Sequence, residues 1–326
     1  MRKVLLASLF LFVLSNPILA MRIAPVTTSE VIDLDVQFVR SIGKIGSGNG
    51  QFIHPRDVSV ATYGDLTTGI GNIFVTDSGK NRVQVFNKDG DYLFQFGRFG
   101  NTDGKFNDPS GIYVDFNFRV YVVDNENNRV QKFDNQGNCL SQFGDLGRKK
   151  GSFDDPEGMA VDTWGQIFVS DAGNDRIQKF ASDGTYLDSF GAFGYGDGFF
   201  DGPKDVALDA DKNIYVADTK NNRVQKLDET GRPLLVFGEK GEGEGQLNRP
   251  AGVAVDEDFI YVADSGNNRV QVFDRKGDFV IQFREKGSGE GQFNNPAGIT
   301  VGKTGQLFVV DTGNHRVQEF KINIKK

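Results

Sequence analysis

The chain has 326 residues, 38% of them hydrophobic, with 29 Phe, 41 Gly, 9 Pro and one Cys. Its net charge is −7, which argues against nucleic acid as a partner, because that affinity comes largely from neutralising phosphates. A lone cysteine, Cys139, forms no internal disulfide, so the fold must hold by packing alone.

Residues 1–20 have the layout of a secretory leader. Arg2 and Lys3 precede an apolar run from Val4 to Leu14, and Pro17 and Ala20 follow. That run is too short to span a bilayer. The expectation is therefore export, to a secreted or cell-surface location, with no membrane span once the leader is removed; the alternatives are an uncleaved anchor, or translation from Met21, which would leave the chain in the cytoplasm. Residues 21–35 read as a linker. Residues 36–43 read as a strand, followed by a glycine-rich loop ending at Phe52.

From residue 55 the chain repeats itself. The frame Asp-x-x-x-x-Arg occurs at Asp77/Arg82, Asp124/Arg129, Asp171/Arg176, Asp218/Arg223, Asp264/Arg269 and Asp311/Arg316, with arginines 47, 47, 47, 46 and 47 residues apart. Pro55, Pro109, Pro156, Pro203, Pro250 and Pro296 keep the same step, except for an insertion within 63–72. The repeats run at about 55–98, 109–145, 156–192, 203–239, 250–284 and 296–320. Each holds four short strands, clearest in the fifth as GVAVD, FIYVAD, RVQVFD and FVIQF, separated by hairpin turns. Four antiparallel strands per unit of this length make a propeller blade.

The sequence thus predicts an all-β, single-domain, six-bladed propeller over 36–326. The chain stops after the third strand of the last repeat, so strand 36–43 is expected to supply the fourth and close the ring. Phe52, Phe106, Phe153, Phe200, Leu247 and Phe293 are expected to plug the gaps between blades, with Phe99, Leu146 and Phe193 sharing that role. A closed ring of this kind is expected to be monomeric.

The fifth copy, PAGVAVDEDFIYVADSGNNRVQVFDRKG, resembles the NHL repeat, and all six copies follow its pattern. The resemblance implies a propeller whose relatives bind RNA or protein, or act as lyases or hydrolases; fold does not choose among these. Its amidating-lyase relatives hold zinc with several histidines, and this chain has two, His54 and His315.

A residue present in every blade is best explained by the blade. The six Asp and six Arg of the frame are therefore expected to be structural, the Asp capping its turn and the Arg pairing with nearby acceptors. The informative positions break the repeat. After the proline most blades carry a small pair such as Ser110-Gly111 or Ala297-Gly298, whereas the first carries Arg56-Asp57 and the fourth Lys204-Asp205, with Glu157 in the third. These charges should meet at the channel mouth, as a polar ligand site or as mutually paired charges. Tyr195 is the best candidate for an exposed aromatic contact, and Arg148, Lys149 and Lys150 form a basic spot.

The favoured reading is a binding platform for a protein, peptide or glycan, with no cofactor. Its ligand face is expected to be built from the inter-blade loops and the Asp-to-Arg turns. The alternative is a metal-dependent lyase or hydrolase, with Asp57, Glu157 and Asp205 as candidate ligands or bases and His54 and His315 as candidates to share a metal; oxygen donors would suit calcium or magnesium better than zinc. RNA binding is a third reading, which would need a positive face.

Overall fold

The computed structural model describes residues 33–61, 71–283 and 285–325; the proposed leader, most of the linker and most of the first-blade insertion lie outside them. The described residues form six four-stranded antiparallel sheets. Strand edges are set by Gly and Asx turns, and Val, Ile, Phe and Tyr fill the strands. The six inner strands, Pro55–Val60, Pro109–Val114, Pro156–Val161, Asp205–Leu208, Gly252–Val255 and Pro296–Val301, each contact the inner strand of the next blade, and the last contacts the first. They line a central channel. Apolar clusters fill the space between neighbouring sheets rather than one central core.

The closing strand is longer than the sequence reading allowed. It runs from Asp33 to Ile42 and pairs antiparallel with Arg316–Lys325, Asp33 opposite Lys325 and Ile42 opposite Val317. Alternation explains the extension, since Leu34 and Ile322 are buried and Phe38 meets Phe320 edge-on at 5.9 Å. Residues 33–35, expected in the linker, therefore belong to the sheet.

The six plug residues are fully buried, at 0% exposure. Phe99, Leu146 and Phe193 are not plugs. They are 71%, 70% and 61% exposed, because each bridges across its loop to the true plug seven residues on and leaves its side chain outside.

The Asp–Arg frame forms a buried polar knot, repeated in each blade. In the fifth, Asp264 Oδ1 accepts from the Asn248 N–H at 2.7 Å, and Oδ2 accepts from Arg269 Nε at 2.7 Å and Asn267 Nδ2 at 2.9 Å. Gln271, two residues beyond the arginine and fully buried, adds a bond to the same oxygen. Arg269 then donates to the carbonyls of Glu242, Gly243 and Gln246, tying down the incoming loop. The aspartate does not cap the turn that follows it, as the sequence reading expected; that turn has no side-chain cap. The carboxylate is spent on the loop instead.

The other five arginines repeat this arrangement on their own loops. Arg82 Nε donates to Asp77 at 2.7 Å and Arg129 Nε to Asp124 at 2.8 Å, while their Nη2 groups hold the Gly48 and Gln51 carbonyls and the Thr102 and Lys105 carbonyls. Arg176 pairs with Asp171 at 2.7 Å and holds the carbonyls of Arg148, Lys149 and Ser152. Arg223 pairs with Asp218 at 2.8 Å and holds those of Tyr195, Gly196 and Phe199. Arg316 does the same with Asp311 and with Ser288, Gly289 and Gln292.

The turns from Asp to Arg were expected to help build the ligand face, and Glu126, Thr219, Ser265 and Thr312 of these turns do line the cavity at the channel mouth, while their arginines point inward. Arg82, Arg129, Arg223 and Arg269 are buried, and Arg176 and Arg316 are partly buried with every terminal nitrogen engaged. A guanidinium that already closes a loop has little left to offer a ligand.

Candidate functional site

Inner strands approach one another so closely at the mouth that the third position of most blades has room only for hydrogen. A Cβ on Gly111 would lie 2.6 Å from the Glu157 carbonyl, and one on Gly252 would lie 2.3 Å from that of Ala297. Blades one and four place an aspartate there and use it as a bridge. Asp57 Oδ1 accepts from the Val58 N–H and Oδ2 from the Ile112 N–H of the next blade, at 2.8 and 2.9 Å. Asp205 does the same with Val206 and Val253, also at 2.8 and 2.9 Å. The two aspartates face each other across the axis as a local two-fold pair.

Enclosure by protein raises both carboxyls. Asp57 is pushed up to about 7, chiefly by burial and against the pull of its two backbone donors. Asp205 lies well above the usual carboxylate range, first through burial and then through repulsion from Asp57.

Above this pair the charged positions meet as expected. Glu157 spans the mouth, its Oε2 accepting from Arg56 Nη1 and its Oε1 from Lys204 Nζ, both at 3.1 Å. Arg56 also pairs with Asp108, which the sequence reading did not single out. Burial raises the Asp108 carboxyl, although Arg56 opposes the shift. The charges are thus mutually paired and also line a cavity of about 820 Å³ that is open at the mouth. Asp57, Asp108, Glu126, Asp155, Glu157 and Asp205 outnumber its arginine and lysine side chains, Arg56, Lys204 and Arg249. Such a volume suits a small ligand or a side chain of a larger one. The frame arginines Arg82, Arg129, Arg176 and Arg223 take no part in the lining, and neither do Arg269 and Arg316.

His54 lines the same cavity, while His315 serves as a latch. The His54 N–H donates to His315 Nδ1 at 3.0 Å, and the rings lie 4.8 Å apart. Elsewhere the equivalent bond goes to an Asn or Asp oxygen, as from Asp108 N–H to Asn81 Oδ1 and from Asn295 N–H to Asn268 Oδ1. His315 shares with Asn81 and Asn268 a left-handed backbone, φ 56°, which His and Asn accept more readily than most residues. Burial, then repulsion from His54, lowers the His315 pKa. Among the described residues no three His, Cys, Asp or Glu are placed to share a metal ion. The candidate donors fit one poorly, since His315 Nδ1 and all four oxygens of Asp57 and Asp205 already accept N–H bonds. Tyr195 does not line the cavity; it stands 72% exposed on the loop before blade four, beside Phe193 at 5.9 Å.

Residues 153–180, 200–227, 247–273 and 293–320 match the NHL repeat, and 65–143 match a family described as a 6-bladed beta-propeller. The chain is an NHL-repeat β-propeller. It is similar to the protein brain tumor of Drosophila melanogaster, 31% identical over 101 residues. That stretch is 31% of this chain and only 9% of that protein. Among solved structures, virginiamycin B lyase from Staphylococcus aureus is 14% identical with a TM-score of 0.58, covering 89% of this chain and 99% of that one. An auxiliary nutrient binding protein from Bacteroides ovatus is 14% identical with a TM-score of 0.64, covering 89% and 78%. At these identities the two structures share the propeller's fold.

Proposed function

We propose that this NHL propeller is an exported, rigid binding module that takes a protein, peptide or glycan on its loop face, with a polar or cationic group of the ligand seated in the mouth cavity. The observation that carries this is the break in the repeat. The ring departs from its small-residue pattern in blades one, three and four, and those departures converge on one cavity. Even with Asp57 and Asp205 set aside as raised toward their neutral forms, Asp108, Glu126, Asp155 and Glu157 outnumber Arg56, Lys204 and Arg249, which favours a cationic group and disfavours RNA. A closed ring offers its loops already ordered, so binding loses little conformational entropy.

Peptide and glycan arrays probed with the wild type and with Glu157→Gln test the reading. A specific ligand whose binding drops in the variant, with an unchanged unfolding midpoint, supports it. Binding that is indifferent to Glu157→Gln and to Lys204→Ala removes the cavity from the account.

One observation favours acid–base chemistry as a second reading: the Asp57 carboxyl sits at about 7, in the range of a general base. A metal-dependent lyase or hydrolase would also need an ion. Metal analysis after purification without chelator, with thermal shift on adding calcium, tests for one; no metal and no shift would end the idea.

A further inference from the structure

The six loops between blades have the same hydrogen bonds but different chemistry. In each, the plug N–H donates back across the loop and its carbonyl accepts from a glycine, as with Phe52 and Lys44/Gly46, Phe106 and Arg98/Gly100, and Leu247 and Glu239/Gly241. Equivalent positions of a ring built this way lie at one level along its axis. At the position just before that glycine stand Ile45, Phe99, Leu146 and Phe193 in four consecutive loops, all 61–71% exposed. The remaining two loops carry Lys240 and Lys286 there.

Charge nearly follows the same division. The first three loops expose Lys44, Arg98, Arg148, Lys149 and Lys150 against Asp103 and Asp145. The last two expose Glu239, Glu242, Glu244, Glu285 and Glu290 against their two lysines. The fourth loop carries the exposed Asp197 and no base, so three consecutive loops are apolar and basic, the fourth is apolar without a base, and the last two are acidic.

We propose that the apolar and basic side of this rim docks the ring on an anionic lipid bilayer. The tips are separated, one per blade, and coplanar. A bilayer receives coplanar tips whatever their spacing, whereas a bound peptide would have to reach from blade to blade. Apolar side chains that enter the interface, flanked by bases facing anionic headgroups, are the combination that holds peripheral proteins on membranes. The acidic loops are repelled by the same surface, so the contact is strongest on the apolar and basic side. This inference does not rest on the cavity.

Co-sedimentation with vesicles tests it, using residues 33–326. The closed ring is built wholly from residue 33 onward, and the apolar run at 4–14 would itself partition into lipid. The wild type should bind phosphatidylserine-containing vesicles roughly tenfold or more better than phosphatidylcholine alone, since each base near an anionic surface contributes about fivefold. The decisive variant is Ile45→Lys with Phe99→Lys and Leu146→Lys, a residue the fold already accepts at 240 and 286. It adds positive charge, yet binding should fall. Equal or stronger binding would reduce the contact to charge alone and overturn apolar docking. Failure of the wild type to bind would overturn the proposal, as would capture of an acidic Leu/Glu peptide with no vesicle binding. Loss of array ligands in Glu157→Gln with vesicle binding intact separates this proposal from the cavity.

Discussion

Replacing Asp264 with Asn tests whether the recurring Asp–Arg frame is a structural knot. Asp264 is fully buried, and its Oδ2 receives hydrogens from Arg269, Asn267 and Gln271. The amide either turns its NH2 toward these donors or toward the Asn248 N–H, and in both cases the guanidinium of Arg269, 9% exposed, loses its countercharge. Breaking a buried pair by removing one partner costs about 3–5 kcal/mol. At roughly 2–4 °C per kcal/mol, thermal unfolding followed by circular dichroism should shift down by about 6–20 °C. The same scan with calcium should show no rise in midpoint for the wild type, because every oxygen is committed. A loss below about 1 kcal/mol, or a calcium-dependent rise that Asp264→Asn abolishes, would refute the knot.

Other outcomes follow from the mouth and the latch. Gly298→Ala places a Cβ 2.2 Å from Asp57 Oδ1 and 2.6 Å from its Cα, so overpacking should cost about 1–3 kcal/mol in urea unfolding, and a change within ~0.5 kcal/mol would contradict the close approach. The Asp57 carboxyl rises from 3.8 to about 7 on folding, so the ring holds a proton that the unfolded chain releases; its contribution is full below about pH 4 and is lost as pH rises through 7. Unfolding free energies between pH 5 and 8 should therefore fall less in Asp57→Ser than in the wild type, and equal slopes would contradict the shift. His315 has the opposite sign: its pKa is lowered, so its contribution is present above the ordinary value of 6.5 and is lost as pH falls below it. His315→Asn keeps the acceptor and should remove that acid-side loss, which a pH series of unfolding midpoints would read.

The fold was legible because one signal recurs six times and its phase betrays the closure. The length of the clasp was not, since Leu34 sits between two aspartates in a stretch that reads as linker, and Ile322 lies among polar residues beyond the last repeat. Arg56, Glu157 and Lys204 could be found as departures from a repeat. Asp108 could not, because its role depends on a blade one step away in space. The arginines Arg82, Arg129, Arg176 and Arg223 were legible as structural, but not the direction they face, because their acceptors are backbone carbonyls of a loop 24 to 34 residues earlier. The buried glutamines, Gln84, Gln131, Gln178, Gln225, Gln271 and Gln318, recur two residues beyond each arginine and mark the knot as regularly as the arginine does. Phe99 and Phe193 misled because hydrophobicity alone does not distinguish a residue facing the gap from one facing out of the loop.

The shared last blade has a kinetic meaning. Five blades can form in the order in which the chain is made, each from neighbouring sequence. The sixth must wait for Arg316–Lys325 to find a strand made at the outset, Asp33–Ile42, so its pairing joins the most distant parts of the ring. Such non-local pairing forms late and slowly. Until it does, the first and last sheets each leave a face uncovered, and the unfinished ring is the species most exposed to misassembly with other chains.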